Sequence, residues 1–198
     1  MWGRSRSGRD LLTRAEARRQ SAWRVLERLD LMRRWTRYGE PFVVGSVALG
    51  VVVRPDIDME IVTDEPRVED GFAVVAECDR LPGVLRGRYR NELVNGDPTL
   101  PAGLYWKLDY QADDGHVWTI DMWLLDRDAP RRGLDATTRL GPLLTDDRRA
   151  LVLAIKEAAV ANDRRVSGLA VCQAVVYDDV GSLQEFDRWR LRREGSRS

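Results

Sequence analysis

Phe42-Val-Val-Gly45-Ser46, followed ten residues after the serine by Asp56-Ile-Asp58, decides how this chain is read. Three apolar residues predict a short strand, and Gly45-Ser46 turns the chain where backbone N–H groups can meet phosphate oxygens. Val47 to Val53 reads as a short helix or turn, stopped by Arg54-Pro55. Asp56 to Thr63 then alternates. Asp56, Asp58 and Glu60 fall on one face and Ile57, Met59 and Ile61 on the other, the period of a half-buried strand. Successive residues of one strand face stand about 7 Å apart. The two aspartates can therefore share one divalent cation through hard oxygen ligands.

Two more segments repeat this pattern. In Leu104–Tyr110, Trp106, Leu108 and Tyr110 share a face, leaving Tyr105, Lys107 and Asp109 on the other. In Val117–Leu125 the apolar face is Trp118, Ile120, Met122 and Leu124, so Asp121 points away from the core between Thr119 and Trp123. The connection Gln111-Ala-Asp-Asp-Gly-His116 carries hairpin-turn residues. Asp121, an acid in a strongly apolar strand, is the candidate third carboxylate. Lys107 is a further candidate for the same face, or pairs at the surface with Asp109. Phosphates held near Gly45 and Ser46 would find Arg54 as the one cation of the link to Asp56.

Helices account for much of the rest. Residues 9–37 carry apolar positions at three- and four-residue steps with arginines mostly between them, and Tyr38-Gly-Glu-Pro41 stops the run. Residues 68–80 read as a helix. Thr145-Asp-Asp caps a helix to about Asn162, 168–178 is another, and Ser182-Leu-Gln-Glu185 opens a third as a capping box. The expected class is α/β (α+β), a mixed sheet backed by helices. The expected divisions are an N-terminal basic helix (1–37), a core (38–130) and a C-terminal helical segment (131–198).

Zero net charge hides an uneven distribution. Residues 1–40 hold 11 arginines against 5 acidic residues, residues 41–130 hold 8 basic against 17 acidic, and the remainder 13 against 10. An acidic centre suits a bound cation, and the basic arm is a candidate RNA contact. Lysine occurs only at Lys107 and Lys156 among 32 basic residues, which singles both out. No run of about 18 apolar residues exists, the start of the chain has no apolar signal segment, and Cys78 and Cys172 lack metal-ligand spacing. These features predict a cytoplasmic protein with reduced thiols and no membrane span.

Gly45-Ser46, the step to Asp56-Ile-Asp58 and the later acid in Thr119-Ile-Asp121-Met-Trp resemble the nucleotidyltransferase superfamily typified by DNA polymerase beta, over about residues 40–126. That superfamily includes CCA-adding enzymes, aminoglycoside and lincosamide nucleotidyltransferases and the small toxin–antitoxin types. The resemblance implies that Gly45 and Ser46 hold a nucleoside triphosphate such as ATP. It implies that Asp56 and Asp58 bind Mg²⁺ or Mn²⁺, and that Asp121 is the third ligand or the base. Glu60 matches a residue that in some members ligates metal or acts as base, and Lys156 falls where several members place a triphosphate-binding lysine. The implied reaction moves a nucleoside monophosphate to an acceptor hydroxyl on a small molecule, an RNA end or a protein. One departure stands out. The link after Ser46 is apolar where many members are polar, so the alternative is a catalytically silent nucleotide-binding or interaction module of the same fold.

Overall fold

The alternating segments pair into one five-stranded mixed sheet in the computed structural model, which describes residues 6–195. In chain order the strands are β1 (Glu40–Val44), β2 (Asp56–Thr63), β3 (Val84–Asn91), β4 (Leu104–Gln111) and β5 (Val117–Asp126), and across the sheet they run β1-β2-β5-β4-β3. β2 and β5 are parallel, and every other pair is antiparallel. The parallel pair sits in the middle, so the two strands bearing the predicted acids are direct neighbours.

One face of the sheet is apolar and covered. Ile57, Met59 and Ile61 of β2, Trp106 and Leu108 of β4, and Ile120, Met122 and Leu124 of β5 are all buried there. Against them pack the second half of α1 (Arg6–Arg28), α2 (Leu31–Trp35) and α4 (Val68–Asp79). A second apolar cluster joins the first half of α1 to the helices that follow the sheet. These are α6 (Arg132–Leu140), α7 (Asp146–Ala161), α8 (Gly168–Asp178) and α9 (Leu183–Gly195). Burying such stripes at about 25 cal/mol per Å² is what holds helices to sheet and to one another.

The apolar link after Ser46 has a structural reason. Its first part is a helix, α3 (Gly45–Leu49), rather than the turn expected at Gly45-Ser46. Val47 and Val52 enter the core under the sheet, while Leu49 and Val51 enter the helical core. The segment seams the two clusters together, and its apolar side chains face those cores.

Two further expectations are corrected. The helix read across 9–37 is two helices, broken where Asp30 adopts a left-handed conformation (φ 51°). β3 adds a strand to those expected, and the short α5 (Glu92–Asn95) and α6 add helices. β3 is an exposed edge strand rich in arginine, which hides the apolar alternation that a strand normally shows. Cys78 and Cys172 are buried free thiols, both pushed up to about 11 by burial. Among the described residues no helix is long and apolar enough to cross a membrane.

Candidate active site

Strand register places the polar residues of four strands in rows on the other sheet face. Asp58 lies beside Asp121, which lies beside Lys107, which lies beside Arg88. The neighbouring row is Asp56, Thr119, Asp109 and Arg86, and the next is Glu60, Trp123, Tyr105 and Arg90. Asp56, Asp58 and Asp121 thus all line one cleft of about 790 Å³, together with Gly45, Ser46, Arg54, Lys107 and Lys156. These eight residues come from four separate stretches of the chain.

Each acid is held differently. Asp56 Oδ1 accepts a hydrogen bond from Thr119 Oγ1 at 2.6 Å. Asp121 Oδ1 accepts from the Tyr105 hydroxyl at 2.5 Å and pairs with Lys107 Nζ at 3.2 Å, so both contacts fall on one oxygen and leave out Oδ2. Lys107 therefore pairs with Asp121 and not with Asp109, whose partners are Arg88 and Arg86. Tyr105 is raised above the usual phenol range, by burial and by this bond to Asp121. Asp58 is half-buried. Loss of water, reinforced by repulsion from Asp56 and Asp121 and only partly relieved by Lys156 and Lys107, pushes its carboxyl up to about 7.

Gly45 meets these acids at close range. It has φ +64°, and a Cβ there would stand 2.8 Å from Asp58 Oδ2. Only glycine combines that backbone conformation with room for the carboxylate. Its N–H, expected to face phosphate, instead donates to Thr137 Oγ1 of α6 at 2.9 Å. Ser46 takes the cleft-facing position. Lys156 Nζ donates to Ser46 Oγ at 2.8 Å and to the Val51 carbonyl at 2.7 Å. Lys156 is only 5 % exposed, and burial pushes its ammonium down to about 8 against the pull of Asp58 and Asp56. The N-terminus of α8 closes on the same spot, with Ser167 Oγ capping it by accepting from the Ala170 N–H. A Cβ on Gly168 would stand 2.8 Å from Ser46 Oγ and 3.2 Å from Lys156 Nζ. Arg54 lies on the cleft wall and donates to the Arg164 carbonyl at 3.1 Å.

Glu60 shares the acid face but turns to a different partner. It is 3 % exposed, and its two oxygens accept from the Gly133 and Leu134 N–H groups at 2.8 Å each, at the N-terminus of α6. Its carboxyl is raised by burial, a shift opposed by those two backbone bonds. Glu60 thus anchors α6, and α6 in turn holds Gly45 through Thr137. Replacing Glu60 with Gln removes the charge from both bonds and turns one acceptor into a donor facing an N–H. We expect a loss of about 1–3 kcal/mol of stability in urea unfolding. We expect triphosphate affinity to fall with it while metal stoichiometry stays constant, as calorimetry would read.

The chemistry of this donor set suits a divalent cation. Among the described residues no group of three His, Cys, Asp or Glu side chains is drawn together tightly enough to cage an ion as it stands. The three aspartates nevertheless offer only oxygen, repel one another and raise Asp58. A hard cation relieves that repulsion and is matched by those oxygens. Of the residues that bear on the site, Thr137 had no local signal, and alternation placed Tyr105 on the polar face without revealing its bond to Asp121. Ser167-Gly168, a capping serine before an apolar run, had such a signal.

The basic arm is mostly spent on internal pairs. Arg14 and Arg18 bond Glu157, Arg19 bonds Glu16, Arg33 bonds Asp30, and Arg34 and Arg37 bond Glu77. Arg4 of that arm lies outside the described residues.

No protein-family model matches the chain, and no curated protein matches it. Solved structures do. A structure of Cid1, described as having RNA terminal uridylyl transferase activity, matches with a TM-score of 0.57 and 15 % identity, over 85 % of this chain and 52 % of that one. A cytoplasmic RNA terminal U-transferase matches with a TM-score of 0.54 and 16 % identity, over 87 % and 55 %. Cid1 with its short product ApU matches with a TM-score of 0.52 and 14 % identity, over 85 % and 52 %. The chain spans about half the length of these proteins. What it shares with them, a mixed five-stranded sheet backed by helices, is the nucleotidyltransferase fold.

Proposed function

We propose that the chain is a metal-dependent nucleotidyltransferase that moves a nucleoside monophosphate from a nucleoside triphosphate to an acceptor hydroxyl. The observation that carries this reading is the register of β2 on β5, which sets Asp58 beside Asp121, with Asp56 one step along the same face. Asp56, Asp58 and Asp121 would hold Mg²⁺ or Mn²⁺. When bound, the ion neutralises phosphate oxygens and makes the acceptor hydroxyl more acidic.

The side chains of the chain supply the rest. Ser46 Oγ and Lys156 Nζ bind the β- and γ-phosphates, next to the N-terminal amides of α8 and within reach of Arg54. Gly45, with no side chain, lets the start of α3 approach Asp58 closely. The acceptor oxygen bonds to the α-phosphorus as the bond to pyrophosphate breaks. Its proton passes to Asp121 Oδ2, because Oδ1 is already engaged by Tyr105 and Lys107. Lys107 and Tyr105 thereby fix which oxygen of Asp121 is open to the acceptor.

The test is calorimetric titration of each nucleoside triphosphate with Mg²⁺, Mn²⁺ or no metal, followed by transfer assays with α-labelled triphosphate and release of pyrophosphate. Binding that needs the divalent ion and is lost in Asp56→Asn supports the reading. Binding indifferent to metal and to that substitution overturns it, leaving a nucleotide-binding or interaction module.

A further inference from the structure

The β3 edge of the sheet carries a row of arginines, one of them lining the cleft, that the metal and triphosphate reading does not use. Arg86, Arg88 and Arg90 alternate along β3, so their side chains lie on the face that bears Asp121, about 7 Å from one to the next. They are 66, 52 and 47 % exposed. Arg88 lines the cleft in the same row as Asp121 and Lys107, two strands and therefore about 10 Å from Asp121. Two carboxylates neighbour the row. Asp109 pairs with Arg88 at 3.2 Å and Arg86 at 3.8 Å, and Glu92 with Arg90 at 3.2 Å. Counting Lys107 together with its partner Asp121, four cations stand against three carboxylates along this edge.

Between the arginines and the acids lies an aromatic pair. Tyr105 and Trp123 stand side by side on β4 and β5 with ring centroids 4.8 Å apart. Arg90 covers the Tyr105 ring at 5.0 Å, and Trp123 lines the cleft. Regularly spaced cations beside an aromatic surface are the two elements that hold single-stranded nucleic acid, one on its phosphates and one on its bases. A cationic small acceptor would face Arg88, Lys107 and Arg132 around the same opening and be repelled.

Resting on the proposed transfer reaction, we infer that the acceptor is the end of a single-stranded nucleic acid. Its backbone lies along the Arg86–Arg88–Arg90 row of β3, and its last base stacks on Trp123. This assigns the nucleic-acid contact to the sheet edge, where Arg88 lines the cleft, and not to α1, no residue of which lines it.

The experiment uses the whole chain and fluorescein-labelled single-stranded 15-mers of RNA and of DNA, read by anisotropy between 50 and 200 mM salt without triphosphate. The triple variant Arg86→Gln/Arg88→Gln/Arg90→Gln should bind at least tenfold more weakly. The slope of log affinity on log salt should shrink by about 2, the share of three phosphate contacts on a single strand. Circular dichroism should be unchanged. Metal-dependent triphosphate binding of this variant should match the wild type. If the wild type binds no triphosphate, the transfer reading fails, while the oligonucleotide result still tests the row. The inference is overturned if the variant binds the oligonucleotides as wild type does. It is also overturned if Arg24→Gln/Arg28→Gln on α1 causes the loss instead, or if polyglutamate competes as well as either oligonucleotide. RNA binding more tightly than DNA would name the sugar, and either preference supports the row.

Discussion

Asp58→Asn should abolish nucleotidyl transfer and make the metal-free protein more stable at neutral pH. The first effect follows from removing a carboxylate from the candidate cation site. Metal stabilisation of developing charge contributes several kcal/mol, so the rate should fall on the order of 10³-fold or more. The second follows from what crowds Asp58. Its carboxyl is pushed up to about 7, by burial first and then by Asp56 and Asp121. In the unfolded chain an aspartate titrates near 3.9. Between those values the folded protein holds a proton that the unfolded chain has released, so stability falls as pH rises through this window. The gap between the folded and unfolded values sets an upper bound of about 4 kcal/mol, and water at a half-buried group reduces it. Asn carries no charge and escapes the penalty. Scanning calorimetry without metal should show wild-type Tm falling from pH 5 to pH 7.5. Asp58→Asn should stay flatter and lie about 3–10 °C higher at pH 7.5, at roughly 2–4 °C per kcal/mol for a chain of this size. Mg²⁺ should raise the wild-type Tm and leave the variant where it was. A variant less stable than wild type at pH 7.5 would refute the crowded-acid account.

Lys156→Met should cost the triphosphate and not the fold. Methionine nearly matches lysine in length and volume, and replacing a buried ammonium with an apolar group removes its desolvation cost. Against that stands the bond that Val51 loses, a penalty of about 1–3 kcal/mol. Unfolding free energy should therefore change by less than about 2 kcal/mol. Triphosphate affinity loses a charge-assisted contact and should weaken by roughly 30- to 300-fold, or about 2–3.4 kcal/mol. Lys156→Arg should not restore it. The planar fork needs width, and the backbone of Gly168 leaves only a few ångströms beside Nζ. Calorimetric titration of Mg²⁺–triphosphate decides the matter, since an Arg variant binding as wild type does would show that charge alone is needed there.

Sequence revealed those parts of the fold that alternate. β2, β4 and β5 each show a strict period of two, and that period alone places Asp58, Lys107 and Asp121 on one face. It could not show that β2 and β5 are neighbours, because 63 residues separate Asp56 from its partner Thr119 and only tertiary pairing joins them. β3 escaped because its alternation sets arginine against Leu85, Gly87 and Tyr89, a pattern in which one face is charged and the other only half apolar. α6 escaped because it begins after Pro130 and contains Gly133 and paired threonines, all weak helix formers. Its start is stabilised by Glu60, a residue more than 70 positions earlier. The role of Glu60 was therefore unreadable from its own strand. An acid in register with two candidate ligands looks like a third, until the helix that occupies it is seen.

The near absence of lysine has a practical side. The chain carries 30 arginines and two lysines, and both lysines line the same cleft. Arginine does not acylate or form imines under conditions that modify amines. Side-chain amine chemistry on this protein is thus confined to its candidate active site. Lys156 sheds its charge at mildly alkaline pH, beside Ser46 and the acids. Lys107 sits across from it on Asp121. A triphosphate bearing an amine-reactive group would find no other lysine to label, and protection by unmodified triphosphate would report occupancy of the cleft directly.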